Sequence, residues 1–153
     1  MARERGVEVS AGGVVVRPGP AGPQVALAEQ RDRNTGLRTV RLPKGKPEPG
    51  ESLEETALRE VREEVGVTAR ILAALPCVEY RYLDARRGRR VRKRVHFFLM
   101  RHQDGDLAPG DGEMDHTYWC PLPEALARLS FDTEREVVAA ARDALEAPGG
   151  TRL

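Results

Sequence analysis

Between Gly45 and Val67 the chain reads GKPEPGESLEETALREVREEVGV, and no other stretch constrains the fold as strongly. Its acids and glycines stand at fixed intervals: Gly45, Glu51, the run Arg59-Glu60-Val61, the pair Glu63-Glu64, then Gly66-Val67. The middle of the stretch is helical by local criteria. Ser52 with Glu55 three residues on makes a capping box. Leu53 to Val65 are mostly good helix formers with neither Gly nor Pro. Gly66 stands where a left-handed C-terminal cap is wanted. The expected helix covers residues 52–65, within ~2 residues at either end.

At roughly 100° per residue, Ala57, Leu58, Val61 and Val65 fall on one arc and face a core. Glu60, Glu63 and Glu64 are spaced i, i+3, i+4, so they share a neighbouring arc and repel one another. Two things can offset that repulsion. Solvent and ion pairs to Arg59 and Arg62 do so on ordinary acidic helix faces. A bound divalent cation does so as well, because Mg²⁺ is hard and takes carboxylate oxygens.

The complete spacing, G-x5-E-x7-R-E-(aliphatic)-x-E-E-x-G-(aliphatic), resembles the signature of the Nudix hydrolases, and each defining position is matched. The resemblance implies an α/β fold, a Nudix α/β/α sandwich with a mixed β-sheet between helices, as one domain over residues 1–153. It implies Mg²⁺-dependent hydrolysis of a phosphoanhydride in a nucleoside diphosphate linked to another moiety, with Mn²⁺ able to substitute. Glu60, Glu63 and Glu64, helped by the Gly45 carbonyl, are then the metal ligands. Arg59 orients Glu60 through a charge-assisted hydrogen bond. Glu51 braces the loop or joins the metal shell, and Gly66 is structural. The general base is one of the box glutamates or Glu113, which precedes the strand carrying Trp119 as a glutamate does in many relatives, with Asp115 behind it. A Nudix-fold module that binds a nucleotide without cleaving it is disfavoured, because clustered carboxylates are costly to keep without a metal.

The substrate branch is more open. The Leu42-Pro43-Lys44-Gly45-Lys46 entrance, the turn from Glu48 to Ser52 and the run from Arg94 to Phe98 resemble diadenosine polyphosphate hydrolases. Relatives that clear 8-oxo-dGTP share these features, and hydrolases of diphosphoinositol polyphosphates or of RNA 5′ ends are further alternatives. Many Nudix proteins carry an aromatic residue shortly before the proline, whereas Val40 and Arg41 stand there in this chain.

The rest of the chain reads as strands around this helix. Val7 to Val16 is a first strand, with Gly12-Gly13 suited to a close backbone approach. Val25 to Glu29 is a second. Gln30 to Arg41 reads as a polar loop; Arg31 and Arg41 from it, with Lys44 and Lys46, are candidate substrate contacts. Thr68 to Tyr82 is strand with a break at Pro76. Tyr80 and Tyr82 share a face at strand period; core or rim packing is the commoner use of each tyrosine, and stacking on a base is the alternative use that makes Tyr82 a candidate substrate contact. Asp84 to Arg94 carries seven basic residues against one acid around a Gly88 tip; Arg94 lies near enough to the sheet to reach phosphates. Such a run also suits nucleic acid, but without a further nucleic-acid motif that partner ranks behind a small nucleotide or polyphosphate. Residues 101–112 read as a loop, His116 to Cys120 as a strand, Pro123 to Leu129 as a short helix. A last helix opens on a Thr133/Glu136 capping box and carries Val137, Val138, Ala141 and Leu145.

Composition adds exclusions. The net charge of +1 over 153 residues names no partner by itself. No run suits a signal peptide or membrane span, which points to a cytoplasmic protein; monomer and homodimer both stay open. Cys77 and Cys120 both fall in apolar, strand-like stretches and read as reduced core thiols. His96, His102 and His116 lack ligand spacing.

Overall fold

A computed structural model describes residues 7–110 and 114–153. Along the chain these form β1 (Val7–Arg17), β2 (Gln24–Arg31), β3 (Arg38–Arg41), β4 (Lys44–Gly45), α1 (Leu53–Val65), β5 (Thr68–Ala74), β6 (Val78–Asp84), β7 (Arg89–Asp104), β8 (His116–Pro121), α2 (Leu122–Arg128) and α3 (Asp132–Glu146). The sheet is mixed. β1 runs parallel to β7 from Val7↔Arg92 to Val16↔Arg101, and the other pairings are antiparallel.

β1 and β2 pair only at Val16↔Val25 and Arg17↔Gln24, then part. The gap takes residues 38–45 as a strap. β3 pairs with the end of β2, and β4 pairs with β1 at Ala11↔Gly45 and Gly12↔Lys44. The strap passes so close to β1 that a Cβ on Gly12 would lie 2.2 Å from the Pro43 carbonyl oxygen. Only glycine fits there, as the close approach expected of that pair requires.

Side chains alternate across the strands and build a core on each sheet face. Ala11, Val15, Ala26, Ala57, Val61 and Val65 are among those on the α1 side. Val14, Leu27, Leu42, Phe97, Val137 and Val138 are among those on the α2–α3 side. Val61 is fully buried, which is worth about 1.5–3 kcal/mol relative to an exposed side chain. The result is the expected α/β/α sandwich.

α1 carries the expected reciprocal Ser52/Glu55 box and ends on Gly66 at φ 82°. Other local expectations need correction. Half of the polar stretch 30–41 is strand, because β2 and β3 make a hairpin around residues 32–37 that propensity alone does not announce. β7 continues to Asp104 through the stretch read as loop, held by its ladder to β5. α3 starts two residues earlier than a Thr133 cap requires, on Phe131 with no side-chain cap. Cys120 is buried as expected, but Cys77 is exposed, since it sits in the irregular link between β5 and β6 after Pro76 rather than in a strand.

Candidate active site

The centre of the site is Arg59, 13% exposed, on the face of α1 that meets the strap. Its Nε donates to Glu51 Oε2 at 2.7 Å and its Nη2 to Glu51 Oε1 at 3.0 Å. Nη2 also donates to the Lys46 carbonyl at 2.8 Å. Nη1 donates to Glu60 Oε1 at 2.8 Å and to both Glu63 oxygens at 3.1 and 3.2 Å. A planar fork of five donors can hold this many acceptors at once, which a lysine cannot. Glu51 in turn accepts the Glu48 N–H and the Thr56 hydroxyl. Arg59 above all, then the Glu48 N–H, hold its carboxyl down at about 2. Glu51 is therefore the brace between loop and helix.

The strap delivers the other side of the site. The Lys44 N–H donates to Glu64 Oε2 at 3.0 Å. A Cβ on Gly45 would stand 2.1 Å from Oε2 of Glu60, so the first residue of the box must be glycine for backbone and carboxylate to meet. Burial pushes the Glu60 carboxyl up against the opposing pull of Arg59. Glu64 is pushed to about 7, by burial first and by the Glu60 charge, with the Lys44 N–H acting the other way.

The three box acids share the helix face as expected, but their carboxylates do not converge. Among the described residues no three His, Cys, Asp or Glu side chains come close enough together to hold a metal ion. Like charges have spread to separate donors: Glu60 and Glu63 to Arg59, Glu64 to the strap N–H. The chemistry of the donor set nonetheless fits a hard divalent cation. Glu60 and Glu63 already share one positive group, the Arg59 Nη1, and Gly45 leaves a cradle beside Glu60 that a side chain would fill.

The remaining candidates fall into two groups. Lys44 lies with Nζ 5.9 Å from the Tyr80 ring centre. Lys93, opposite Tyr80 on β7, is lowered to about 8 by burial first and then by Lys44 and Lys46. Lys46 reaches Glu8 Oε2 at 4.0 Å, and the Tyr82 hydroxyl donates to the same oxygen at 3.2 Å. The second group lines a cleft of about 370 Å³ that includes Gln30, Arg31, Arg33, Arg41, Asp115 and Phe131. There Arg41 donates to Gln30 Oε1 at 2.5 Å and the Arg31 N–H donates to Asp115 Oδ2 at 2.6 Å. Arg94 instead pairs with Glu79 at 3.8 Å on the opposite face of the hairpin from Lys93. Glu113 lies outside the described residues.

Sequence reading missed Glu134, which is fully buried. Its Oε1 accepts the Leu42 N–H at 2.8 Å and its Oε2 accepts the Tyr80 hydroxyl at 3.3 Å. It thus pins the strap to α3 from the face opposite α1. The signal was present: Glu134, Val137, Val138 and Ala141 follow i, i+3, i+4, i+7, so the acid sits on the apolar stripe.

Comparison with known proteins agrees with this architecture. A family model, the NUDIX domain, matches residues 7–141. A Mycobacterium tuberculosis protein named "Putative mutator protein MutT4" is 40% identical over 141 residues, covering 91% of this chain and 56% of that protein. An "8-oxo-(d)GTP phosphatase" of Mycolicibacterium smegmatis is 34% identical over 97 residues, covering 63% of this chain and 28% of that protein. The chain therefore spans about half or less of the length of these curated relatives. A C. elegans Ap4A hydrolase in a binary complex superposes with a TM-score of 0.67 at 21% identity, covering 87% of this chain and 93% of that one.

Proposed function

The chain belongs to the Nudix family, and from that membership we propose that it is a metal-dependent pyrophosphohydrolase of nucleoside polyphosphates, with a diadenosine polyphosphate as its first substrate. The observation that carries the proposal is the junction of strap and helix: Gly45 and the Lys44 N–H are set against Glu60 and Glu64, while Arg59 locks Glu60 and Glu51.

In this reading Glu60, Glu63, Glu64 and the Gly45 carbonyl hold Mg²⁺, for which Mn²⁺ can substitute. Bound there, the cation would supply a water of lowered pKa and would neutralise charge on the phosphate oxygens. The chain's own residues do the positioning, which is most of the work in phosphoryl transfer. Arg59 fixes the Glu60 carboxylate. Lys44, Lys46 and Lys93 face the polyanion, and their mutual crowding is relieved when phosphate arrives. Arg31 and Arg41 border the cleft beside the strap and take the far end of the substrate. A box glutamate accepts the proton of the attacking water. The number of cations favours a polyphosphate of more than three phosphates. A cytoplasmic site of action, where such nucleotides are found, belongs to the same reading.

A second reading, removal of 8-oxo-dGTP from the nucleotide pool, draws on the printed activity of the M. smegmatis relative. One experiment separates the two. The purified protein is given diadenosine polyphosphates and 8-oxo-dGTP, with Mg²⁺ and with chelator, and products are identified by chromatography and mass spectrometry. Metal-dependent ATP release as the fastest reaction is expected. Faster pyrophosphate release from 8-oxo-dGTP selects the second reading, and no turnover of either removes both.

A further inference from the structure

The β6–β7 hairpin extends past the described part of the β1 ladder. β6 pairs only with β7, and the β1 ladder on the other edge of β7 begins at Val7↔Arg92. The pairs Tyr82↔Val91, Leu83↔Arg90 and Asp84↔Arg89 therefore reach past the first described residue of β1. What they carry is mostly positive. Eight basic residues against two acids lie between Glu79 and Arg94, so the remaining chain, with 17 against 22, is net acidic. The near-neutral total hides a charge separation that places the positive end on one ribbon.

Both acids of the ribbon are committed. Glu79 pairs with Arg81 at 3.3 Å and Arg92 at 2.9 Å. Asp84 accepts the N–H groups of Arg86 and Arg87 and pairs with the Arg87 side chain at 3.5 Å. The side chains of Arg86, Arg89 and Arg90 are exposed and have no ion pair among the described residues. Repulsion among like charges at one tip is unfavourable unless an anion shares the site. Two large apolar side chains are exposed on the same ribbon: Tyr82 at 44%, on the face that carries Arg89, and Leu83 at 67%, on the face that carries Arg90. The Tyr82 hydroxyl is held by Glu8, so its ring stands as a fixed platform.

We propose that the tip of the β6–β7 hairpin is a docking surface for single-stranded nucleic acid, separate from the box acids. Unpartnered guanidinium groups take the phosphates, and Tyr82 offers a stacking face, the combination by which single strands are held without sequence preference. Small-nucleotide recognition at the box does not account for such a ribbon, because the pairs that carry Arg89 and Arg90 lie past the described end of the β1 ladder and none of Arg86, Arg89 and Arg90 bonds to the strap or the box acids. The surface includes none of the box acids, so the Glu63→Gln/Glu64→Gln protein should keep it.

The test is fluorescence anisotropy with a labelled 15-nucleotide RNA and its DNA equivalent, titrated with the full chain at several salt concentrations. Micromolar binding is expected at low salt, with log K falling against log salt at a slope of about −2 to −3, as neutralising three or four single-strand phosphates gives. Arg86→Glu/Arg89→Glu/Arg90→Glu is expected to weaken binding at least ~30-fold while nucleotide hydrolysis and melting temperature stay unchanged. The neutral triple glutamine variant should fall between the two. A duplex of the same length binding as tightly as the single strand overturns the assignment. So does a charge-reversed tip that binds like the parent, or full displacement of the strand by an equal concentration of tripolyphosphate.

Discussion

Removing the buried carboxylate at position 134 tests how the strap is held. In Glu134→Ala the Leu42 N–H loses its acceptor inside the core, which costs about 1–3 kcal/mol. The emptied volume adds about 1 kcal/mol for ~40 Å³ left unfilled. The sum, about 3 kcal/mol, lowers the melting temperature of a chain this size by about 6–12 °C. Glu134→Gln behaves differently. Its amide oxygen still accepts from Leu42, and its amide N–H can donate to the Tyr80 oxygen, so both contacts survive, the second with donor and acceptor exchanged. The pH dependence follows from the direction of the shift. Burial raises the folded carboxyl above its ordinary 4.5, so the folded chain binds this proton more tightly than the unfolded one. The protonated group's contribution is complete below 4.5 and is lost as pH rises through the folded value. Glu134→Gln removes that loss and should melt no lower than the parent at pH 7. Urea melts followed by Trp119, the only tryptophan, at pH 4 and pH 7 read both effects. If Gln costs as much as Ala at pH 7, the argument from hydrogen-bond satisfaction fails.

Three other substitutions address the box. Gly45→Ala puts a methyl group on the Glu60 carboxylate, and a displacement near 1 Å is expected to cost about 100-fold in kcat; steady-state kinetics with undiminished kcat would show that the backbone and Glu60 need not meet. Glu63→Gln with Glu64→Gln should abolish turnover with the circular dichroism spectrum retained, and surviving activity would end the metal assignment. Arg59→Lys keeps the charge but cannot reach Glu51, Glu60 and the Lys46 carbonyl together, so kcat should fall with KM nearly unchanged, whereas an intact kcat argues that charge alone suffices.

How much was readable in the chain depended on range. α1 was legible to its caps because Ser52, Glu55 and Gly66 act within a few residues of one another. The second face of the sandwich was legible from the Val137/Val138/Ala141 stripe. The box geometry was legible in part: spacing placed three acids on one helix face, but only the fold shows Glu64 turned to the Lys44 N–H and Glu63 to Arg59. The strap was not legible, because β3 and β4 exist through partners 13 and 34 residues away, at Arg41↔Ala28 and Gly45↔Ala11, rather than through their own propensity. Cys77 was misread for a related reason: apolar neighbours suggest a strand until Pro76 removes the ladder donor beside it.

The way the strap is fastened limits where the chain can change length. Residues 42 to 45 are gripped from three directions: the Leu42 N–H by Glu134, the Pro43 carbonyl by the Gly13 N–H, and the Lys44 N–H by Glu64. One residue inserted or deleted here would reverse the alternation of faces, turning Leu42 out of its core and taking the Lys44 N–H from Glu64. The turn at residues 32–37 bears no such constraint. It is exposed and closed on itself, with Asp32 accepting the Asn34 and Thr35 N–H groups, and lengthening such a turn costs little. Insertions in the lineage of this chain should therefore collect at residues 32–37, where they would reshape the neighbouring arginine-lined cleft and leave the spacing from strap to helix untouched.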